Sequence, residues 1–242
     1  MEVRALGKRY GGLQALVDVS FHLSQGEMVA VIGPNGAGKT TLLSIVAGAQ
    51  RASAGTVEPG PDQVGWAPQQ QAVYSRLTVA ENLELFAHLE GVADPRAAVA
   101  RMLEQTGLGE RSGELVGRLS GGNRQRVNVA LALIAQPPVI VLDEPSASLD
   151  PAQRRRLWEF VCNLAGKGTA VLFSTHDVAE AGRLADRVIV LVDGRVLLDG
   201  PPLELARIGA GGAEGDFESG FLELLRGAQA SAPAPGSREP GS

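Results

Sequence analysis

A single cysteine, Cys162, occurs in 242 residues, so no disulfide can form within the chain. One thiol fits a reducing compartment. Set in an apolar helical pattern, Cys162 is expected to be a small buried hydrophobe. Long hydrophobic runs are also missing. The longest, Val129 to Ala135, is seven residues, against the ~20 needed to span a bilayer. Met1-Glu2-Val3-Arg4 carries no apolar core of signal-peptide length. The chain is therefore not expected to cross a membrane by itself, though it can sit on a membrane protein. Positive charge is short as well. The net charge of −5 argues against a nucleic-acid-binding surface. His22 has no partner at metal-ligand spacing, and His88 falls in a helical pattern as an exposed residue. No internal repeat occurs. What is present, 44% hydrophobic and 20% charged residues, suffices for one large domain or two lobes.

The chain is organised around Gly33-Pro34-Asn35-Gly36-Ala37-Gly38-Lys39-Thr40. This stretch follows a buried-strand pattern, Met28–Ile32, and precedes a helix opening at Thr41. Strand, GxxxxGK[ST] and helix in that order make a phosphate-binding loop. Glycines let the backbone curl so that several N–H groups face one anion. The helix start behind them adds unpaired donors and a positive dipole end. In such a loop Lys39 places an ammonium near the β- and γ-phosphates, and the Thr40 hydroxyl can ligate Mg²⁺.

Strands are expected at Glu2–Tyr10, Ala15–Leu23, around Gly55–Val57 and at Val64–Ala67. Thr78 with Glu81 has capping-box spacing and opens a helix through Glu90. Helices at Pro95–Thr106 and Asn123–Ala135 follow, so residues from about Gln71 to Gln136 form a nearly all-helical insert between strands. Val139–Leu142 is an apolar run of the kind found in parallel sheets covered on both faces. It ends in Asp143-Glu144. A helix Pro151–Ala165, a strand Thr169–Ser174, a helix Val178–Ala185 and a hairpin through Asp193-Gly194 complete the ordered pattern. One short amphipathic helix is expected at Phe217–Leu225, and the Ala/Pro/Gly/Ser-rich stretch from Ala228 on is expected to be disordered.

Asp143 and Glu144, at a strand end downstream of a phosphate loop, suit Mg²⁺ holding and polarisation of an attacking water respectively. With Leu119-Ser120-Gly121-Gly122 in the helical insert, again ahead of a helix N-terminus, the chain resembles the nucleotide-binding subunit of an ATP-binding cassette (ABC) transporter. The resemblance covers about Glu2 to Leu205. It implies an α/β cassette: a RecA-like core sheet, an antiparallel β lobe and the inserted helical subdomain at about 71–136. The domain would span 1–205, with 206–242 a largely flexible tail. ATP and Mg²⁺ would be the cofactors.

The resemblance also assigns roles. Tyr10 would stack on adenine. Gly33 to Thr41 (Gly33, Pro34, Asn35, Gly36, Ala37, Gly38, Lys39, Thr40 and Thr41) would bind the phosphates. Thr40, Gln69 and Asp143 would hold Mg²⁺. Glu144, His176 and Gln69 would be catalytic, and Asp150 would communicate across a dimer. Leu119, Ser120, Gly121, Gly122 and Asn123 would complete the site of a second, identical subunit, each of two ATP lying between one phosphate loop and the facing signature. The family pattern continues with Gln where Asn123 stands, so that side chain has a shorter reach here. The partner would be an integral membrane permease, with no nucleic acid, and the place the cytoplasmic face of the membrane, peripherally.

Tyr74-Ser75-Arg76-Leu77-Thr78-Val79-Ala80-Glu81-Asn82-Leu83, with Phe86 and Gly91-Val92, resembles the exporter branch for drugs, lipids or polysaccharides. Importer cassettes share part of that run and stay open as an alternative. A non-transport cassette ATPase of translation or DNA repair is a second alternative. It is disfavoured by the single cassette, the lack of a coiled-coil insertion and the acidic balance. A phosphate-loop kinase or GTPase is disfavoured by the Leu-Ser-Gly-Gly run and the lack of an Asn-Lys-x-Asp motif.

Overall fold

A computed structural model describes residues 1–147, 149–209 and 216–231, with Pro61 and residues 229–231 as backbone only. Two sheets organise it. Strands β1 (Glu2–Tyr10), β2 (Leu13–His22) and, after the core's first strand and helix, β4 (Ala54–Glu58) form an antiparallel sheet in the order β2-β1-β4. The larger sheet comprises β3 (Met28–Ile32), β5 (Val64–Ala67), β6 (Val139–Asp143), β7 (Ala170–Ser174), β8 (Arg187–Val192) and β9 (Arg195–Gly200). Its order is β5-β6-β7-β3-β8-β9, parallel throughout except for β9. The hairpin at Asp193-Gly194 accounts for that exception, because a tight turn can only join antiparallel neighbours.

The central strands β3, β6 and β7 are buried at every residue. Alternate side chains therefore feed two separate cores. Val29, Val31, Val139, Val141 and Leu172 pack with α1 (Lys39–Val46) and with Val3, Leu6 and Leu16 of the small sheet. Ala30, Ile32, Ile140, Leu142 and Phe173 face the opposite side. There they meet α4 (Gly121–Leu133), α5 (Pro151–Ala165) and α6 (Val178–Leu184). Between β5 and β6 run α2 (Val79–Leu89), α3 (Pro95–Thr106) and α4, the helical insert read from the sequence. The Thr78–Glu81 capping box forms as expected. Its backbone bond to Thr78 holds the Glu81 carboxyl below the usual carboxylate range. Buried Asn82 fixes the preceding loop through Tyr74 and Thr78, accepting from Tyr74 N–H at 2.8 Å and donating to both carbonyls.

Two expectations fail. Cys162 is exposed rather than buried. The buried stripe of α5 is Leu157, Trp158, Val161 and Ala165, and Cys162 lies one position off it. The region after 205 is not wholly a flexible tail. Helix α7 (Pro202–Gly209) and helix α8 (Phe217–Ser231) pack on each other, and α8 packs on α6, burying Leu205 and Phe221. The helix extends six residues past Leu225 and takes in Ala228–Ser231. Its approach depends on Gly220, where a Cβ would stand 1.7 Å from the Leu205 carbonyl oxygen. Residues 210–215 and 232–242, and Ser148 of the run before Asp150, lie outside the described residues.

Candidate active site

The C-terminal ends of β3 and β6 open into a cleft of about 510 Å³, in the crevice position favoured by open parallel sheets. Asn35, Gly36, Gly38, Lys39, Thr40 and Thr41 line one side, and Tyr10, Gln69 and Glu144 are among the residues around the rest. Gly33, Pro34 and Ala37 shape the loop behind that lining. Gly38 is the N-cap of α1 at φ 104°, a left-handed conformation suited to glycine, and offers no side-chain cap. The first N–H groups of α1 therefore carry no side-chain acceptor, which suits an anion.

Lys39 is buried, and its Nζ donates to the carbonyls of Gly33 at 2.8 Å and Pro34 at 3.2 Å. An ammonium has three donors, so one is left over. Burial pushes the Lys39 ammonium below its ordinary range, while the Glu144 and Asp143 carboxylates oppose that shift. Lys39 and both acids thus act on one another electrostatically, Lys39 and Glu144 in the cleft lining and Asp143 buried behind it.

Asp143 closes β6 and is 1% exposed. Its Oδ1 accepts from the Ser174 hydroxyl at 2.5 Å, while Oδ2 is buried without a partner. Glu144 sits at φ 50°, a left-handed conformation uncommon for a non-glycine residue and a form of strain found at functional sites. Its N–H donates to Ser174 Oγ at 3.0 Å, which holds that conformation. Its Oε2 lies 2.6 Å from His176 Nδ1. His176 is largely exposed and reaches the cleft through Glu144; it is not among the lining residues.

Tyr10 is 45% exposed at the cleft edge, its hydroxyl donating to Gln50 Oε1 and its ring lying 5.0 Å from Lys8 Nζ. The loop of Gln69 is clamped to α4 on both sides: buried Asn128 donates to the Pro68 carbonyl at 2.9 Å and accepts from Ala72 N–H at 3.1 Å. The donor set fits Mg²⁺, a hard cation taking oxygen ligands. Thr40 and Gln69 face the cleft, and the unpartnered Asp143 Oδ2 adds a buried anionic oxygen. Among the described residues no group of three His, Cys, Asp or Glu could hold a metal by itself.

The signature residues lie elsewhere. Leu119 to Asn123 are absent from the cleft lining. Exposed Ser120 caps α4, accepting from Asn123 N–H at 3.4 Å, and the Leu119 carbonyl accepts from Arg124 at 2.8 Å. Asp150 caps α5 through Gln153 N–H at 2.8 Å. The sequence reading missed four contributors. Gln14 of β2 and Asp193 of the β8–β9 turn line the cleft, and Gln50, after α1, holds the Tyr10 hydroxyl; no local pattern marks them as contributors to the site. Ser174 was legible only as part of a strand-end segment, not as the clamp on both acids.

The family model described as ABC transporter matches residues 16–147. The Nod factor export ATP-binding protein I of Burkholderia orbicola (strain AU 1054) is 39% identical over 215 residues, covering 84% of this chain and 71% of the relative. A solved ATP-binding subunit of an ABC transporter superposes with TM-score 0.82 at 30% identity, covering 93% of this chain and 98% of that one. A dimeric ATP-binding cassette in a post-hydrolysis state, bound to ADP and Pi, superposes with TM-score 0.75 at 26% identity, covering 83% and 97%.

Proposed function

Because this chain belongs to the ABC transporter family as one of its ATP-binding subunits, we propose that it binds ATP in the Lys39 cleft and drives a separate membrane permease in export. The chain is an ATPase of the cassette type. Residues 1–205 are its ATPase domain in this reading, with 71–136 as the helical insert. The backbone N–H groups of Gly36 to Thr41 and the free donor of Lys39 take the phosphates, and Tyr10 stacks on the base. Thr40, Gln69 and Asp143 would hold Mg²⁺, which when bound neutralises phosphate charge. Glu144 orients and deprotonates the attacking water, and His176, paired with it, stands beside the γ-phosphate. Ser120 and its neighbours serve the ATP of a second copy, and Asp150 lies at the junction between copies. Export is supported by the likeness of Tyr74–Leu83 to exporter cassettes and by the name of the Burkholderia relative. Among the described residues no helix is long and apolar enough to cross a membrane. Subunits of this family pair with membrane permeases, so the permease would be another chain and this one peripheral on the cytoplasmic face.

The observation that carries the reading is the meeting of Lys39, Glu144 and Thr40 in one cleft. Phosphate release from ATP by the purified chain tests it. Turnover that requires Mg²⁺ and disappears in Glu144→Gln supports the reading. Turnover unaffected by Glu144→Gln moves the chemistry elsewhere. Co-purification of a co-expressed polytopic protein tests the partner.

A further inference from the structure

Glu180 is a carboxylate buried to 2% exposure, outside the cleft, with three side-chain donors. Its Oε2 accepts from Ser146 Oγ at 2.8 Å and from Thr175 Oγ1 at 3.0 Å. Its Oε1 accepts from Trp158 Nε1 at 2.6 Å, and the Trp158 ring packs on Phe173 of β7 with centroids 4.8 Å apart. Arg154 adds a longer approach, Nε to Oε1 at 3.9 Å, and pairs with Asp177 at 3.0 Å. The backbone at Glu180 is fixed too, its N–H donating to Asp177 Oδ1 at 2.9 Å. Burying a charge is costly, and replacing the whole network, Glu180 together with the groups that donate to it, by hydrophobic side chains of similar volume would fill the same space without that cost. Stability alone therefore gives little reason for a carboxylate here.

The partners supply the reason. Ser146 is two residues beyond Glu144, and Thr175 is the residue before His176. The two loops whose side chains meet at 2.6 Å are thus tied, a residue or two away, to one oxygen of one carboxylate. We infer that Glu180 is a positioning residue for ATP hydrolysis, setting the separation and aim of the Glu144–His176 pair. The inference rests on the reading of Glu144 as the group that activates water. It assigns Glu180 no contact with ATP, so the effect should fall on turnover and not on binding.

The test is steady-state phosphate release by the full chain with ATP and Mg²⁺, for the unaltered protein, Glu180→Ala, Glu180→Gln, His176→Ala and the Glu180→Ala/His176→Ala pair. Glu180→Ala is expected to lower kcat about tenfold or more and to leave KM within about threefold. Glu180→Gln should stay within about threefold of the unaltered kcat, since its amide can accept from Trp158 and donate to two hydroxyls that reverse their roles. The double variant should be no slower than the slower single variant by more than about twofold, because both changes act through one pair. A merely structural role would give additive losses and no rescue by Gln. Unchanged kcat in Glu180→Ala, additive losses, or a loss confined to KM overturns the inference. If Glu180→Ala does not fold, Ser146→Ala takes its place, with a severalfold loss in kcat and non-additivity with His176→Ala expected; unchanged kcat overturns the proposal. Normal turnover that Glu144→Gln abolishes, together with full activity in Glu180→Ala, removes only the positioning role. No turnover in the unaltered protein removes the underlying reading.

Discussion

Two helix N-termini in this chain share one chemistry and differ in setting. Helix α1 begins inside the cleft, uncapped by any side chain, with buried Lys39 in its first turn and Glu144 nearby. Helix α4 begins at exposed Ser120, already capped by that serine, outside the cleft. Both present backbone donors and a positive dipole end. Only the first stands in a groove lined by a lysine and an acid of its own chain; the Arg124 guanidinium at the second is bonded to the Leu119 carbonyl. In the reading proposed here the second is half of a site, and a second copy of the chain supplies the other half. The contrast teaches that a Gly-rich loop before a helix is a place where an anion can go. What turns it into a site is what stands opposite.

The largest expected effect breaks the first region chemically. Glu144→Gln should slow single-turnover hydrolysis by about 10²–10⁴, the usual span of general-base catalysis, and leave ATP affinity nearly unchanged. Equal losses in hydrolysis and affinity would show that Glu144 holds the nucleotide rather than activating water. Next, Lys39→Ala should weaken ATP binding by about 10–100-fold in calorimetry, the worth of a hydrogen bond to a charged group. The corresponding change at the second region, Ser120→Ala, should leave binding to a single chain untouched. Unchanged affinity in Lys39→Ala would erase the difference between the two helix starts.

A third prediction uses protons to sharpen the same point. Burial holds the Lys39 ammonium below the ordinary lysine range, against the pull of Glu144 and Asp143. The charged form binds phosphate. As pH rises through the lowered value, the free chain loses that proton and the apparent ATP affinity falls. Binding in that alkaline window should take up protons, seen as a dependence of calorimetric heat on buffer ionisation. Below the window this group contributes no pH dependence, and in Lys39→Ala the effect should vanish. The smallest expected effect belongs to the second region. Asn123→Gln restores the reach of the family's residue and should tighten ATP-dependent dimers by about two- to tenfold, one neutral hydrogen bond's worth. Sedimentation at graded concentrations would read it.

Much of this was legible in sequence. The Met28–Ile32 strand, the capping box at Thr78 and the helix Pro95–Thr106 have the bounds that periodicity and caps gave them. Local rules suffice where pattern, cap and breaker agree. The phosphate loop is equally local, since one octapeptide supplies its backbone donors. Ser174, Gln50 and Glu180 were not legible as contributors. Each acts through a residue 30 or more positions away, and serine, glutamine and glutamate at such places look like any polar residue. The docking of α8 was missed because it rests on the close approach of Gly220 to the Leu205 carbonyl of α7, a contact between helices that no local pattern marks. Cys162 was misplaced by one position on a helix, which is enough to turn a side chain by about 100° and bring it from core to surface.

The central claim is that the cleft at Lys39 is completed by Ser120 of another copy. Sizing of the Glu144→Gln chain with ATP and Mg²⁺ tests it most directly. With hydrolysis blocked, the protein should shift from monomer to dimer with ATP and not with ADP, which lacks the γ-phosphate. Adding Ser120→Arg should dissolve that dimer while ATP binding to the single chain stays the same within about twofold, since in the reading proposed here the serine serves only the partner's nucleotide. Loss of ATP binding by the monomer itself on Ser120→Arg would contradict the account, because it would place the signature residues in the cleft of their own chain.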